Sequence, residues 1–493
     1  MTLYRTFVLV VTSGLIVGSC RSDQKRAAGN RSGAPAQSQS GAAPGIDRRA
    51  SAALKTALGV GARPAPLPPA DAPGEAPLVP NPAQEKGSWR AIRPVAVFRR
   101  PSMRAPIRGG IAKLTRLPRV KKVAGEGCAA GFLELAPGAY VCGMNLRKDR
   151  RPPQAKRRPT VGSNRITPGT YGYIRTGGTK LYWTLPDGFA DQKGKPIAQS
   201  DTVRWAGKRF FKGMKFWRIT SGYFIRGERV RRFWPSGMRG VDLTQPGPRL
   251  PLVFMVSRRR RKIAEKIPPV DVHGAPGGKV VSTLKRYSAH PVDDVVRRGQ
   301  FRWYHIPNKG WVSSEMVRVA RLSDPPPGLH PAERWIDVDT EEQTLVAYRG
   351  RTPVYTALVA AGVWKYPTPL GTFRIYKKMA EADMKSEAKA SEQYRVDHVP
   401  WTMYFKRGYA LHGAYWHNGF GHARSHGCIN LSPRDARVIY HFTRPVLPDG
   451  WTFLSADEQH PGTMVRIRGP KPKPAPSNPG AAGKSRPRPR PRP

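Results

Sequence analysis

Glycine or proline occupies 50 + 51 = 101 of the 493 positions, about one in five, and this constrains the architecture more than any other feature. Such punctuation fits long linkers and turn-rich β modules. The 12 Trp, 17 Tyr and 16 Phe still supply several small cores, so a wholly disordered chain is excluded. Length alone suggests several domains. No run of about 18 apolar residues is present, which excludes a membrane-spanning helix.

Residues 1–19 carry Arg5 and then an apolar run from Phe7 to Gly18, ending in Val17-Gly18-Ser19-Cys20. This reads as a secretory signal, too short to span a bilayer. Small residues before Cys20 resemble a bacterial lipobox. The resemblance implies cleavage before Cys20, lipid on its thiol and a membrane anchor. Arg21, in place of an inner-membrane retention aspartate, favours the outer membrane facing the periplasm. Residues 20–90 read as a disordered tether and residues 469–493, ending in SRPRPRPRP, as a disordered basic tail.

The formal charge is 85 − 33 = +52. In a cytoplasmic chain that would point to nucleic acid. The export signal argues against it, and anionic envelope polymers suit the charge better.

Three segments repeat a strand–glycine–strand pattern: Phe132–Leu135 with Gly138 and Val141, Phe216–Ile219 with Gly222 and Ile225, and Trp303–Ile306 with Gly310 and Val312. Each reads as a hairpin. The spacing suits small separate β-barrels over 91–148, 165–246 and 252–322, and the pattern resembles bacterial SH3-like modules. That resemblance implies wall binding or positioning; plain spacers would have the same sequence. Cys128 and Cys142 flank the first hairpin, so a disulfide is expected in an oxidising compartment. It leaves Cys428 over.

From about residue 333 apolar and polar residues alternate, as in Trp335–Asp339 and Gln343–Tyr348, predicting strands with one buried face. Ser432-Pro433 followed by Asp435 predicts a helix start. Residues 412–431 read HGAYWHNGFGHARSHGCINL. Metal binding by these histidines and Cys428 lacks paired-cysteine or helical ligand spacing. Nucleophilic catalysis fits better: a neighbouring imidazole deprotonates the thiol, and N–H groups around Gly427 and Cys428 hold an oxyanion. The reading requires the Cys428 sulfur in a pocket open to solvent and within reach of His412.

Ser425-His426-Gly427-Cys428 with Asn430, preceded by His412-Gly413, resembles the signature of YkuD-type L,D-transpeptidases. So do the upstream I-D-V-D, Q-T-L-V-A-Y and T-P-L-G-T-F-R-I-Y stretches, over roughly 333–468. The resemblance implies a mainly β catalytic domain, a β-sandwich with a short helix, with Cys428 as nucleophile and His412 as base. Ser425, Gly427 and Asn430 would shape the pocket for substrate and oxyanion, the Gly413 carbonyl would orient His412, and His426 beside them would be structural. It also implies a thioester with a peptidoglycan stem tetrapeptide, transfer to an amine in a 3→3 cross-link, and no metal or organic cofactor. Water as acceptor would make the chain an L,D-carboxypeptidase or a hydrolase of wall links. A non-catalytic wall-binding lipoprotein is the alternative of another class. His417 and His422 read as loop histidines. Tyr404, Tyr415 and Trp416 read as groove or core.

Overall fold

The computed structural model describes residues 46–58, 87–163, 165–257, 268–385 and 395–470. The expected signal segment with Cys20, most of the expected tether, and the basic tail beyond residue 470 lie outside them. The architecture is mainly β. Among the described residues no helix is long and apolar enough to cross a membrane.

The three sequence repeats are hairpins in identical register. Leu133 pairs with Val141, Trp217 with Ile225, and Tyr304 with Val312. Each β-branched partner is fully buried. Cys128 and Cys142 are joined by a disulfide across residues that flank the first hairpin.

The units are not separate barrels. Ile107–Ile111 of the first pairs antiparallel with Trp451–Ser455 of the C-terminal domain, so one sheet runs through both. Two glycines permit this. A Cβ on Gly109 would lie 2.5 Å from the Trp451 ring, and one on Gly110 2.5 Å from the Phe453 ring. Trp451 and Leu454 consequently complete a core with Val97, Ile111, Leu133 and Val141.

The tether expectation fails over residues 46–58. Ile46–Asp47 extends a sheet of the third unit by pairing with Asp294–Arg298, and Arg48–Leu58 is a helix. Its Leu54 and Leu58 face the core of that unit, and Lys55 pairs with Asp294 at 2.8 Å. Two leucines four residues apart give one apolar stripe, enough for a helix once a surface exists to receive it.

In the C-terminal domain Arg334–Asp339, Thr344–Arg349 and Thr352–Ala360 form an antiparallel meander. One buried face was expected; both are buried. Ile336, Val338, Leu345 and Ala347 pack inward with Ala436, Ile439 and Tyr440 of the helix Pro433–Phe442. Trp335, Val346, Tyr348 and Leu358 are covered from the other side by Leu252, Phe254 and Ala320 of the third unit. The alternation read as solvent exposure instead carries contact with a neighbour. Asp337, 1% exposed on that covered side, is matched by Arg466 at 2.6 Å and Arg468 at 2.7 Å.

Gly109→Val should therefore weaken the first unit and the C-terminal domain together. Overpacking of this kind costs about 1–3 kcal/mol. Urea unfolding followed by tryptophan fluorescence should show a single transition at lower midpoint.

Candidate active site

Tyr409–Gly413 and Ile429–Leu431 run side by side in parallel, pairing Leu411 with Ile429, His412 with Asn430 and Gly413 with Leu431. Side chains alternate along a strand, so Leu411 and Ile429 enter the core while His412 and Asn430 share the opposite face. Cys428 precedes Ile429 by one residue, so the strand pair brings the segment that carries it beside the strand of His412. Two stretches sixteen residues apart in sequence thus become neighbours.

The turn before Cys428 is built by Ser425. Its hydroxyl accepts from the Gly427 N–H at 3.1 Å and donates to the Cys428 carbonyl at 2.5 Å. Gly427 has φ +111°, a conformation that favours glycine. A Cβ there would stand 2.4 Å from the Tyr409 ring. Ser425 is itself pinned to the end of a neighbouring strand, its N–H donating to the Ala361 carbonyl at 3.0 Å. His426 stacks on Tyr366 with ring centres 4.1 Å apart. The Gly427 N–H is engaged by Ser425, which removes it from the oxyanion role expected of it. The helix N-terminus is likewise occupied: Ser432 caps it, and the Asp435 carboxylate accepts from the Gly240 N–H and from the Ser432 and Tyr355 hydroxyls.

Cys428 is a thiol, and it is buried, with 1% exposure. Its Sγ lies 3.8 Å from the Gly408 carbonyl, in the turn between two strands. The expected solvent-open pocket is thus closed in this conformation, because the Arg407–Gly408 turn and the Tyr409 ring lie over the segment.

His412 is also buried, and burial pulls its pKa down to about 4. The backbone of Gly413 favours the protonated ring and opposes part of that shift, though Nδ1 has no partner in hydrogen-bonding geometry. The imidazole is therefore neutral at ordinary pH, ready to accept a proton. Trp416 leans over it with ring centres 5.6 Å apart. Tyr415 is core rather than groove: fully buried, it stacks on Tyr171 of the second unit at 3.8 Å and donates to the Asp397 carbonyl. Tyr404 is buried as well.

His417 has a partner that sequence spacing did not reveal. Its Nδ1 accepts from the Gly419 N–H at 3.1 Å, so in the neutral ring Nε2 carries the hydrogen. Nε2 lies 3.0 Å from the Asn430 amide. The facing atom is Asn430 Nδ2, so an N–H on Nε2 calls for the amide to turn and present Oδ1. Burial holds His417 neutral, its pKa well below the usual value. His422 lies half-buried on the same loop. Among the described residues the ligand atoms of Asp383, Asp397 and His398 come within 4.8 Å of one another. Arg395 already stands 3.6 and 3.7 Å from the two carboxylates, which reads as an ion-pair network.

Residues 333–467 match the family model for the YkuD L,D-transpeptidase catalytic domain. That match identifies this stretch, 135 of the 493 residues, as an L,D-transpeptidase catalytic domain of the YkuD type. Solved structures similar to the chain include the catalytic domain of an E. faecium L,D-transpeptidase, at 23% identity over 28% of this chain and 100% of that one, TM-score 0.22. L,D-transpeptidase 3 from Mycobacterium tuberculosis, with a faropenem-derived adduct, is 18% identical over 36% and 74%, TM-score 0.23. An L,D-transpeptidase from Stackebrandtia nassauensis is 22% identical over 31% and 60%, TM-score 0.21. Among curated proteins no match was found.

The His412 shift sets a pH dependence. The folded value, about 4, is below the unfolded value near 6.5, so between these the unfolded chain binds the extra proton. Stability therefore falls as pH drops from about 7 to about 4 and levels below. His412→Gln should flatten that slope, by on the order of 3 kcal/mol across the window, in urea titrations at each pH.

Proposed function

We propose that Cys428 is the nucleophile and His412 the general base of an acyl transfer on peptidoglycan stem peptides. What supports this is the parallel strand pair, which brings the segment that begins at Cys428 beside the strand of a neutral buried imidazole in the family-matched domain.

In the first half-reaction His412 takes the thiol proton as Cys428 Sγ attacks the carbonyl of the third stem residue. The tetrahedral centre collapses to a thioester, the bond to the terminal D-Ala breaks, and the imidazolium returns its proton to that leaving amine. In the second, an amine of a neighbouring stem attacks the thioester and loses a proton to His412. The peptide bond of a 3→3 cross-link forms, and the thiolate is reprotonated. The imidazole starts neutral, so the proton moves as the bond forms; a standing thiolate–imidazolium pair is not required. Ser425 and Gly427 hold the turn that presents Sγ, while His417 orients Asn430 beside His412. With Sγ buried, productive binding requires the Arg407–Gly408 turn to give way to substrate. Export and lipid attachment at Cys20 would place this chemistry at the cell envelope.

Disaccharide-tetrapeptide incubated with the protein should yield cross-linked dimers by mass spectrometry; tripeptide alone would assign water as the acceptor. Intact-protein mass spectrometry after carbapenem exposure should place one adduct on Cys428. Cys428→Ala should lose both adduct and product with its melting temperature nearly unchanged. His412→Ala should lower the rate by at least ~100-fold. Retained product in Cys428→Ala would remove the nucleophile assignment.

A further inference from the structure

The second unit has an arm that the catalytic chemistry does not use. Thr202–Phe211 and Met214–Ile219 pair along their length, but Thr170–Ile174 covers the first strand only from Thr202 to Trp205. Phe224–Arg226 covers the second only from Phe216 to Arg218. Residues 207–215 therefore project past the sheet as a two-stranded ribbon, closed by a tight turn with Lys212 at φ +46° and Gly213 at φ +75°. A bare ribbon of this kind is marginally stable alone.

Its tip is apolar on both faces. Phe210, 62% exposed, stands opposite Lys215, and Phe211 stands opposite Met214 on the other face. Phe189 of the helix Leu185–Ala190 meets Phe211 edge-on at 5.8 Å and is itself 37% exposed. Lys212 Nζ lies 5.4 Å and 5.9 Å from these two rings. Between residues 202 and 219 there are six basic residues and no acidic one. Lys208, Arg209 and Lys215 are exposed and stand beside or just behind the tip.

We propose that residues 207–215 are a membrane-contacting tip, inserting Phe210, Phe211 and Met214 into the interface of an anionic phospholipid bilayer. The cations meet the headgroups as the tip enters. Apolar groups beside the turn, with Lys212 in the turn itself and Lys208, Arg209 and Lys215 along the ribbon behind it, suit the interface of a bilayer, an apolar interior beneath an anionic surface. A convex tip with apolar side chains on both faces suits a deformable surface that closes around it. A stacking platform for a nucleic acid or glycan needs open aromatic faces. The two tryptophans at the ribbon base, Trp205 and Trp217, already stack on each other at 3.9 Å, with Lys215 Nζ 4.4 Å over Trp217.

The test uses the full chain with Cys20→Ser, so that no lipid can be attached there, sedimented with vesicles at physiological salt. Vesicles of phosphatidylglycerol and phosphatidylcholine should pellet the protein, and phosphatidylcholine alone should pellet far less. Phe210→Ser keeps the net charge and removes no core contact, so its melting temperature should be unchanged. Its partition onto the mixed vesicles should fall on the order of tenfold. Lys212→Glu should also weaken it. Equal partition of Phe210→Ser and the parent would show that charge alone binds, and would overturn the proposal. Equal partition onto both vesicle types would overturn it as well. So would a Phe210→Ser variant that loses affinity for a single-stranded oligonucleotide while its vesicle partition is unchanged, since the surface would then be one for nucleic acid.

Discussion

The parallel contact between Tyr409–Gly413 and Ile429–Leu431 is the interaction on which the site depends. Parallel neighbours need a crossover, and here the crossover is the fifteen-residue loop 414–428, rich in glycine and histidine. The loop does two jobs at once. It carries Trp416 over His412 and His417 against Asn430, and it ends in the Ser425 turn that aims Cys428. The candidate site is thus assembled by one strand pair and its own connection.

Around that pair the accessory units act as walls. The third unit buries the second face of the meander, and the first continues the sheet through Trp451. The second reaches the loop 414–428 directly. Tyr171 stacks on Tyr415, Thr202 Oγ1 lies 2.9 Å from the Tyr415 hydroxyl, and Arg204 pairs with Glu381 on the strand beside the loop. Tyr415 adjoins Trp416, whose ring leans on His412, so packing in the second unit continues into the loop that borders His412. Such shared cores bury more apolar surface than small β units could alone, which is how a chain with so many turns keeps its cores closed.

Burial gives the site its electrostatic character. A histidine removed from water keeps its neutral form to lower pH, so His412 can accept a proton over the whole ordinary range. The same burial closes the thiol beneath the Gly408 turn, so reactivity and access pull against each other.

Much of this was legible in the residues. The hairpin repeats stand out because turn glycines and β-branched partners recur at one offset, and they pair in one register. The helix after Leu431 announces itself by Ser432, Pro433 and Asp435, all local signals. The folded helix at 48–58 did not, because two leucines become an interface only beside the third unit. Nor did the His417–Asn430 bond, since thirteen residues of loop leave no periodicity that reports who meets whom.

The amino-acid order by itself determined the local elements, the turn that only glycine at 427 accommodates, and the presence of a thiol and an imidazole in one short stretch. Tertiary structure decided which face of each strand met a neighbour, that Cys428 is covered, and that the units share cores. The reason is physical: backbone propensity and turn geometry act over a few residues, whereas burial is settled by whichever distant surface arrives to exclude water.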